Sequence, residues 1–143
     1  MNKEQYLIVD RQNAGRSQIG EGFLKHFTEG NPNIQIMSAG LDITGMKDKY
    51  DNHPNPYVIS AMQEKGIDIS HQEITQVTPE LLQESTHVIV LADEKELPEY
   101  FNDFKNKTLL IPIEDPAPGN DMKKLRAVRD QIELVMSHVA HRE

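Results

Sequence analysis

Residues 6–17 read YLIVDRQNAGRS, and this stretch decides the fold. Its apolar first part predicts a buried strand that ends at Asp10. Apolar side chains then recur every four positions along residues 19–27, which is typical of one face of a helix that begins near Ser17. The unpaired N–H groups and the positive dipole end of such a helix favour an anion, and Arg16 adds a planar fork of donors. The loop therefore predicts a site for phosphate, sulfate or arsenate.

Strands and helices alternate along the chain. Strands are predicted at residues 5–9, 33–37, 87–91 and 108–113. Helices are predicted at residues 17–28, at 56–65, from 78, at about 94–104, and from 121 to about 140. Right-handed crossovers between these elements give an α/β fold, a doubly wound, four-stranded parallel sheet flanked by helices. The length suits one domain spanning residues 1–143.

The ligand site of such a sheet lies at the carboxyl ends of its strands. Asp10 follows the first predicted strand and Asp115 follows the last, so both are expected at that edge. The polar segment at residues 41–55 is predicted to form a long surface loop beside them, in which Tyr50 is either a ligand contact or an exposed loop aromatic. The predicted oxyanion-binding residues are Arg11, Gln12, Asn13, Ala14, Gly15 and Arg16.

Five motifs extend this interpretation to nearly the whole chain. They read NAGRSQIGEGF at residues 13–23, SAG at 38–40, MQEKGIDIS at 62–70, DPA at 115–117 and RAVRDQI at 126–132. In order and spacing they resemble the low-molecular-weight protein tyrosine phosphatase superfamily, and within it most the thioredoxin-coupled arsenate reductase branch. The resemblance implies a phosphatase I-like fold.

The resemblance implies a Cys-x5-Arg-Ser loop whose cysteine attacks phosphorus or arsenic. In this chain Asp10 stands at the cysteine position, and Arg16 and Ser17 form the Arg-Ser pair. The reductases relay oxidation through two further cysteines, and the approximate matching positions here are Ala92 and Leu97. The chain contains no cysteine, so arsenate reduction by the family's thiol mechanism is excluded.

Asp10 has three interpretations. Beside Arg16 and the loop amides its carboxylate is expected to be ionised at neutral pH, and it could occupy the cradle and weaken the binding of an external anion. It could instead form an ion pair with Arg16 and cap the helix. An aspartate can also attack phosphorus and form an acyl phosphate. Enzymes of that kind usually hold Mg2+ with neighbouring carboxylates, and residues 11–13 offer none.

Asp115 lies in a turn-rich segment after the last predicted strand. In the phosphatases that the chain resembles, the aspartate of this segment is the general acid that protonates the leaving oxygen. Without the resemblance, an Asp-Pro turn would explain Asp115. Many tyrosine phosphatases follow this pair with an aromatic residue, whereas this chain has Ala117 and Pro118, so phosphotyrosine specificity is not predicted. The catalytic positions implied by the resemblance are Asp10, Arg16, Ser17 and Asp115.

The motifs require no cofactor, but the resemblance implies a monovalent cation, K+ or Na+, beneath the loop. The matching positions are Asn13, Glu21 and Ser38, whose oxygens suit a hard cation. The fourth family ligand is acidic, and the uncharged Thr75 stands at its position. The alternative is that Asn13, Glu21 and Ser38 form a hydrogen-bond network that supports the loop.

Composition limits the partners of the chain. Its net charge is -8 at pH 7 and its pI is about 5.2, so nucleic acid and anionic membranes are not predicted as partners. The expected partner is a phosphate-like oxyanion or a phosphorylated small molecule or protein. No signal-like apolar stretch opens the chain, its apolar runs are short, and a chain without cysteine needs no oxidising compartment. We therefore expect a cytoplasmic protein, with no prediction of its oligomeric state.

Three functional hypotheses follow from the sequence. The first, which we favour, is a catalytically silenced phosphatase-like protein that keeps an oxyanion-binding loop. The second is a phosphatase or phosphoacceptor that uses Asp10 as its nucleophile. The third is a nucleophile-substituted form of a cysteine-dependent phosphatase or arsenate reductase.

Overall fold

The computed structural model describes residues 3–141 of the chain. In this part the strands and α-helices are, in order, β1 (Glu4–Asp10), α1 (Arg16–Phe27), β2 (Ile34–Gly40), α2 (Met46–Lys49), α3 (Pro56–Gln63), α4 (Pro79–Glu84), β3 (His87–Val90), β4 (Thr108–Leu110) and α5 (Met122–Ala140). Two 3-10 segments, Glu94–Glu96 and Glu99–Lys107, lie between β3 and β4. The predicted domain boundaries, residues 1 and 143, lie outside the described residues.

The strands form one parallel sheet in the order β2-β1-β3-β4. Asp10 lies opposite Gly40 at the carboxyl ends of β1 and β2, and Val9 lies opposite Val90 of β3. β1 is an inner strand: β2 lies on one side of it, and the chain then crosses to β3 and β4 on the other side. This reversal of direction is the doubly wound topology. The predicted α/β fold, a doubly wound four-stranded sheet flanked by helices, is confirmed.

The two faces of the sheet form two apolar cores because successive strand residues point to opposite sides. Tyr6 and Ile8 pack in one cluster with side chains of α1, α3 and α5. Leu7 and Val9 pack in a second cluster with side chains of α4 and the second 3-10 segment. Among residues 3–141, no helix is both long and apolar enough to cross a bilayer.

The segment after β3 differs from its prediction. The sequence predicts one helix at residues 94–104, but two 3-10 segments are separated there by Leu97 and Pro98. Both of these residues are extended, with ψ of 130° and 156°. Pro98 has no N–H to donate and disfavours a helical conformation at Leu97. The prediction of a single helix is therefore wrong.

Two other elements near the carboxyl ends of the strands differ from their predicted bounds. The predicted loop at residues 41–55 contains the short helix α2. The last strand is predicted to reach residue 113 but ends at Leu110. Pro112 lacks an N–H, but in this edge position its nitrogen faces away from β3 and does not break the contact with that strand. The chain nevertheless continues beside β3, since the Ile111 N–H donates to the Val90 carbonyl and the Ile113 N–H to the Leu91 carbonyl, each at 2.8 Å.

A cluster of charged side chains joins α5 to the end of α3. Glu64, directly after α3, accepts hydrogen bonds from Arg126 Nη2 at 2.8 Å and from Arg129 Nη1 at 2.7 Å. Arg129 Nη1 also donates to the Ala61 carbonyl at 3.0 Å. The hydrogen bonds from Arg126, and then those from Arg129, lower the pKa of Glu64 to about 2 because they stabilise its charged form.

Acid is expected to weaken this link between α3 and α5. Folding lowers the pKa of Glu64 from 4.5 to about 2, so its contribution to stability is complete above pH 4.5 and is lost as pH falls towards about 2. Glu64→Gln should lower the unfolding temperature at neutral pH and flatten its decline below pH 4.5. Glu133→Gln, which breaks a single ion pair with Lys65, is the control. An unchanged acid slope in Glu64→Gln would contradict the prediction.

Candidate functional site

The carboxylate of Asp10 is enclosed by the loop that follows it. Asp10 ends β1 and is only 2% exposed. Its Oδ1 accepts the Asn13 N–H at 2.6 Å, and its Oδ2 accepts the Ser17 N–H at 2.9 Å. Gly15, the residue before α1, offers no side-chain cap. Asp10 therefore takes over that task from the end of the strand and joins β1 to the first turn of α1.

Arg16 is held at the carboxyl edge of the sheet. It is 6% exposed, and its Nη1 donates to the Ile113 carbonyl at 2.7 Å and to the Leu91 carbonyl at 3.3 Å. Its Nη2 lies 3.9 Å from Asp115 Oδ2. The acidic partner of Arg16 is thus Asp115, whereas both oxygens of Asp10 meet backbone N–H groups. Of the alternative in which Asp10 pairs with Arg16 and caps the helix, the cap is present, but the ion pair is not the arrangement found.

A cavity of about 120 Å³ lies between the loop, the start of α3 and the segment after β4. Asp10, Arg16 and Asp115 all line it. The fold therefore brings together an enclosed carboxylate, a guanidinium group and a second, half-exposed carboxylate, as the strand ends predict. The Asp115 side chain is 52% exposed, so it faces solvent as well as Arg16.

The remaining residues of the predicted site divide into two groups. Those that line the cavity are Gln12, Ala14 and Gly15. Arg11 points away from it, and its Nε lies 3.9 Å from Glu96 in the first 3-10 segment. The hydroxyl of Ser17 lies beneath the loop, where it accepts a hydrogen bond from Asn13 Nδ2 at 2.7 Å. Ser17 thus supports the loop in this structure, while the exposed Arg11 side chain contacts Glu96.

Asn13 fixes the loop from below. Its φ of 58° lies in the left-handed region, and the residue is fully buried. Its Oδ1 accepts the Thr75 N–H at 2.8 Å, while its Nδ2 donates to the hydroxyl of Ser38 at 3.0 Å. The loop passes so close to β2 that a Cβ at Gly40 would lie 2.8 Å from the Asn13 nitrogen. Gly40 is therefore required for this close approach.

The three residues predicted to bind a monovalent cation lie in one network. Ser38 Oγ donates to Glu21 Oε1 at 2.5 Å and accepts from Asn13 Nδ2. Glu21 Oε2 lies 2.6 Å from the ammonium group of Lys25. The hydrogen-bond network of the alternative interpretation is thus present, and the monovalent cation stays a prediction.

Asn55 is a structural residue of the site that the motif analysis overlooked. It precedes α3, and its Oδ1 caps that helix by accepting the Tyr57 N–H at 2.9 Å. Its N–H donates to the Ala14 carbonyl at 3.1 Å, and its Nδ2 donates to the Gly119 carbonyl at 3.0 Å. Asn55 therefore joins the loop to the segment that carries Asp115. The Asn-Pro pair at the helix start was a usable signal, since asparagine is a preferred N-cap.

Lys49 and Tyr50 form the outer side of the cavity. The Lys49 ammonium lies 5.2 Å from the centre of the Tyr50 ring. Tyr50 is half-buried and lines the cavity, so it is not a fully exposed loop aromatic, and its contact with a ligand stays a prediction. Lys49 was not predicted, because α2 is too short to show a periodic pattern.

Asn13 provides a test of the loop architecture. Asn13→Ala removes the buried side-chain hydrogen bonds and forces a Cβ residue without a local polar group into the left-handed region, so we expect a loss of at least about 2 kcal/mol of unfolding free energy. Asn13→Gly removes the same hydrogen bonds but accepts the positive φ, and should lose about 1 kcal/mol less. Denaturant unfolding of both variants measures the difference. Equal stability of the two would show that the backbone conformation at Asn13 carries no cost.

Comparison with known proteins agrees with this architecture. The sequence profile of the family described as low molecular weight phosphotyrosine protein phosphatase matches residues 5–142. Arsenate reductase 1 of Staphylococcus epidermidis is 32% identical over 148 aligned positions, which cover 99% of each chain. The predicted resemblance to the phosphatases and to their arsenate reductase branch is confirmed.

Solved structures share the fold over nearly the whole chain. An arsenate reductase in the phosphate-binding state has a TM-score of 0.77 at 26% identity, and covers 97% of this chain and 98% of its own. A mutant of the YwlE arginine phosphatase with a phosphorylated active-site serine has a TM-score of 0.83 at 20% identity, and covers 96% and 94%. Since the family profile spans nearly all 143 residues and no residue is cysteine, the chain belongs to the low molecular weight phosphotyrosine protein phosphatase family as a cysteine-free member.

Proposed function

We propose that this protein is a catalytically silent member of its family that retains a loop for binding tetrahedral oxyanions. The observation that carries the proposal is the placement of Asp10, whose two oxygens both accept loop N–H groups. The carboxylate keeps the loop folded in the absence of a thiol. The expected ligand is phosphate, sulfate or arsenate, free or as the phosphoryl group of a small molecule or protein.

The chemistry of the loop supports catalytic silence. The family's phosphatase and reductase mechanisms both begin with attack by a thiolate, and the chain has no cysteine. An attacking carboxylate oxygen would have to leave its N–H partner and approach the substrate, yet Asp10 is 2% exposed. Hydrogen bonds to both oxygens also lower their nucleophilicity.

Oxyanion binding is supported by what the cavity offers besides Asp10. Arg16 presents a guanidinium group to the cavity, and its Nη2 has only a long 3.9 Å contact with Asp115. The loop before α1 supplies backbone amides beside the positive end of the helix dipole. The arsenate reductase of 26% identity was solved in a phosphate-binding state. Asp10 opposes an incoming anion by charge and by occupying two amides, so the affinity should be weak.

Phosphate binding should therefore increase when the charge of Asp10 is removed. Asp10→Ser retains a hydroxyl acceptor suited to capping and is expected to bind phosphate about tenfold more tightly, since a like charge at contact distance is gone. Arg16→Gln should abolish detectable binding by removing the cationic fork. Isothermal titration with inorganic phosphate compares the native chain, Asp10→Ser and Arg16→Gln. Equal phosphate affinities in the three proteins would contradict the proposed oxyanion site.

A second candidate function is acceptance of a phosphoryl group by Asp10. The specific observation in its favour is that Asp10, Arg16 and Asp115 line one cavity. In the YwlE mutant, the active-site serine is phosphorylated. In this chain a carboxylate oxygen of Asp10 would form the bond to phosphorus as the bond to the leaving oxygen breaks, and Asp115 would give its proton to that oxygen. The product would be an acyl phosphate that water then hydrolyses.

Hydrolysis of an aryl phosphate by the native chain and by Asp10→Cys separates these functions. We expect the native chain to be inactive and Asp10→Cys to be active, because the variant restores a thiolate beside an intact arginine and Asp115. Adding Asp115→Asn to the active variant should lower kcat by about a hundredfold or more, the usual effect of losing a general acid.

Other outcomes of this assay identify the alternatives. Activity of the native chain, with a hydroxylamine-labile phosphate on Asp10, would replace the proposed function by the second candidate. Activity of Asp10→Cys also matches the third sequence hypothesis, a substituted form of a cysteine-dependent enzyme. Inactivity of both proteins would remove the catalytic alternatives and leave binding alone. The cytoplasmic location proposed from composition is independent of these results.

A further inference from the structure

We propose that the ammonium group of Lys25 is a built-in replacement for the monovalent cation that the family resemblance implies beneath the loop. Lys25 lies in the last turn of α1 and its Nζ is 2.6 Å from Glu21 Oε2. Lys25 is a positioning residue: its ammonium group holds Glu21, and Glu21 holds Ser38, which binds Asn13 of the loop. It concerns folding and ion response, and so it stands or falls separately from oxyanion binding.

The orientation of Asn13 argues against a cation among the three predicted ligands. The Thr75 backbone N–H can only donate, and it meets one end of the Asn13 amide at 2.8 Å, so that end is Oδ1. The other end, Nδ2, is a donor and points at the hydroxyls of Ser17 and Ser38. A cation at this place would face N–H hydrogens where it requires an oxygen.

The hydroxyl of Ser38 is also used within the network, both as a donor and as an acceptor. Its single hydrogen is donated to Glu21 Oε1 at 2.5 Å, and its oxygen accepts from Asn13 Nδ2 at 3.0 Å. The hydrogen bonds therefore all point the same way: Asn13 donates to Ser38, and Ser38 donates to the carboxylate of Glu21. Such a chain ends on a negative charge, which must be balanced on its far side.

Lys25 supplies that balance from outside the network. The Glu21 side chain is 10% exposed and the Lys25 side chain is 42% exposed, so a nearly buried carboxylate meets an ammonium group that remains hydrated. Burial of an unpaired carboxylate is costly, and the ammonium removes that cost without a bound ion. A plain surface pair between positions i and i+4 would contribute little and would have no preference among salts.

The network reaches the proposed oxyanion site through one residue. Asn13 accepts from Thr75 and donates to Ser38 through its side chain, and its backbone N–H is bound to Asp10 Oδ1 at 2.6 Å. The ion pair of Lys25 and Glu21 is therefore connected to Asp10 by consecutive hydrogen bonds. Loss of the ammonium should loosen the loop unless another cation takes its place.

The test measures unfolding temperature in KCl, NaCl and choline chloride at matched ionic strength and in phosphate-free buffer. Choline is too large to enter the network. The native chain and Lys25→Arg should unfold at the same temperature in all three salts. Lys25→Met should unfold roughly 2–4 °C lower in choline chloride, a usual effect for one lost ion pair in a domain of this size. It should recover at least half of that loss in KCl or NaCl, with a saturable dependence on the ion, because a small cation can bind Glu21 Oε2 at the half-exposed place that the ammonium group leaves, outside the Asn13 and Ser38 hydrogen bonds.

Two further variants make the result specific. Lys65→Met breaks an ion pair of Lys65 Nζ with Glu133 Oε1 at 3.0 Å that lies away from the loop, and it should show no preference among salts. Combining Glu21→Gln with Lys25→Met should abolish the recovery, because the carboxylate that attracts the ion is gone. A native chain stabilised by K+ or Na+ relative to choline would overturn the proposal, as would a Lys25→Met variant that responds equally to all three salts.

Discussion

The hydrogen bonds of one buried carboxylate set the geometry on which the rest of the site depends. Asp10 binds the N–H groups of Asn13 in the loop and Ser17 in the first turn of α1 through different oxygens. A helix start leaves first-turn N–H groups such as that of Ser17 without partners inside the helix. Between these two contacts the chain turns from β1 into α1, with Asn13 in the left-handed region. That turn directs the Asn13 side chain towards Ser38 and the Arg16 side chain along the ends of the strands.

An aspartate at this position preserves the charge of a thiolate but changes its chemistry. A thiolate presents one polarisable sulfur to the substrate and accepts hydrogen bonds weakly. A carboxylate presents two strong acceptors, and in this loop both are directed at backbone donors. The same substitution thus favours a well-formed loop and disfavours attack on phosphorus.

Much of this arrangement follows from the sequence because it depends on local patterns. Apolar runs predict the parallel strands, and the residues after those runs, Asp10 and Asp115, must meet at one edge. The partner of Arg16 could not be obtained in this way. Proximity along the chain favours Asp10, but the guanidinium group is anchored by the carbonyls of Leu91 and Ile113, which places it beside Asp115.

Other features escaped prediction because their signals are weak or misleading. The composition of residues 94–104 suits a helix, yet the single Pro98 divides it into two 3-10 segments. Lys49 belongs to a helix of four residues, for which no periodicity exists. Asn55 had a recognisable N-cap pattern, but its second role, the hydrogen bond to the Gly119 carbonyl, joins positions 64 residues apart. Only tertiary structure determines such a contact.

The charges of the site are balanced within the chain itself. Asp10 is satisfied by backbone N–H groups, Arg16 by two carbonyls and Asp115, and Glu21 by Ser38 and Lys25. Each buried charge therefore has a partner before any ligand arrives, as burial requires. An oxyanion that binds as proposed would have to displace Asp115 from Arg16 and tolerate the negative charge of Asp10. Its affinity would then be the difference between the contacts that the anion gains and the contacts that the chain loses.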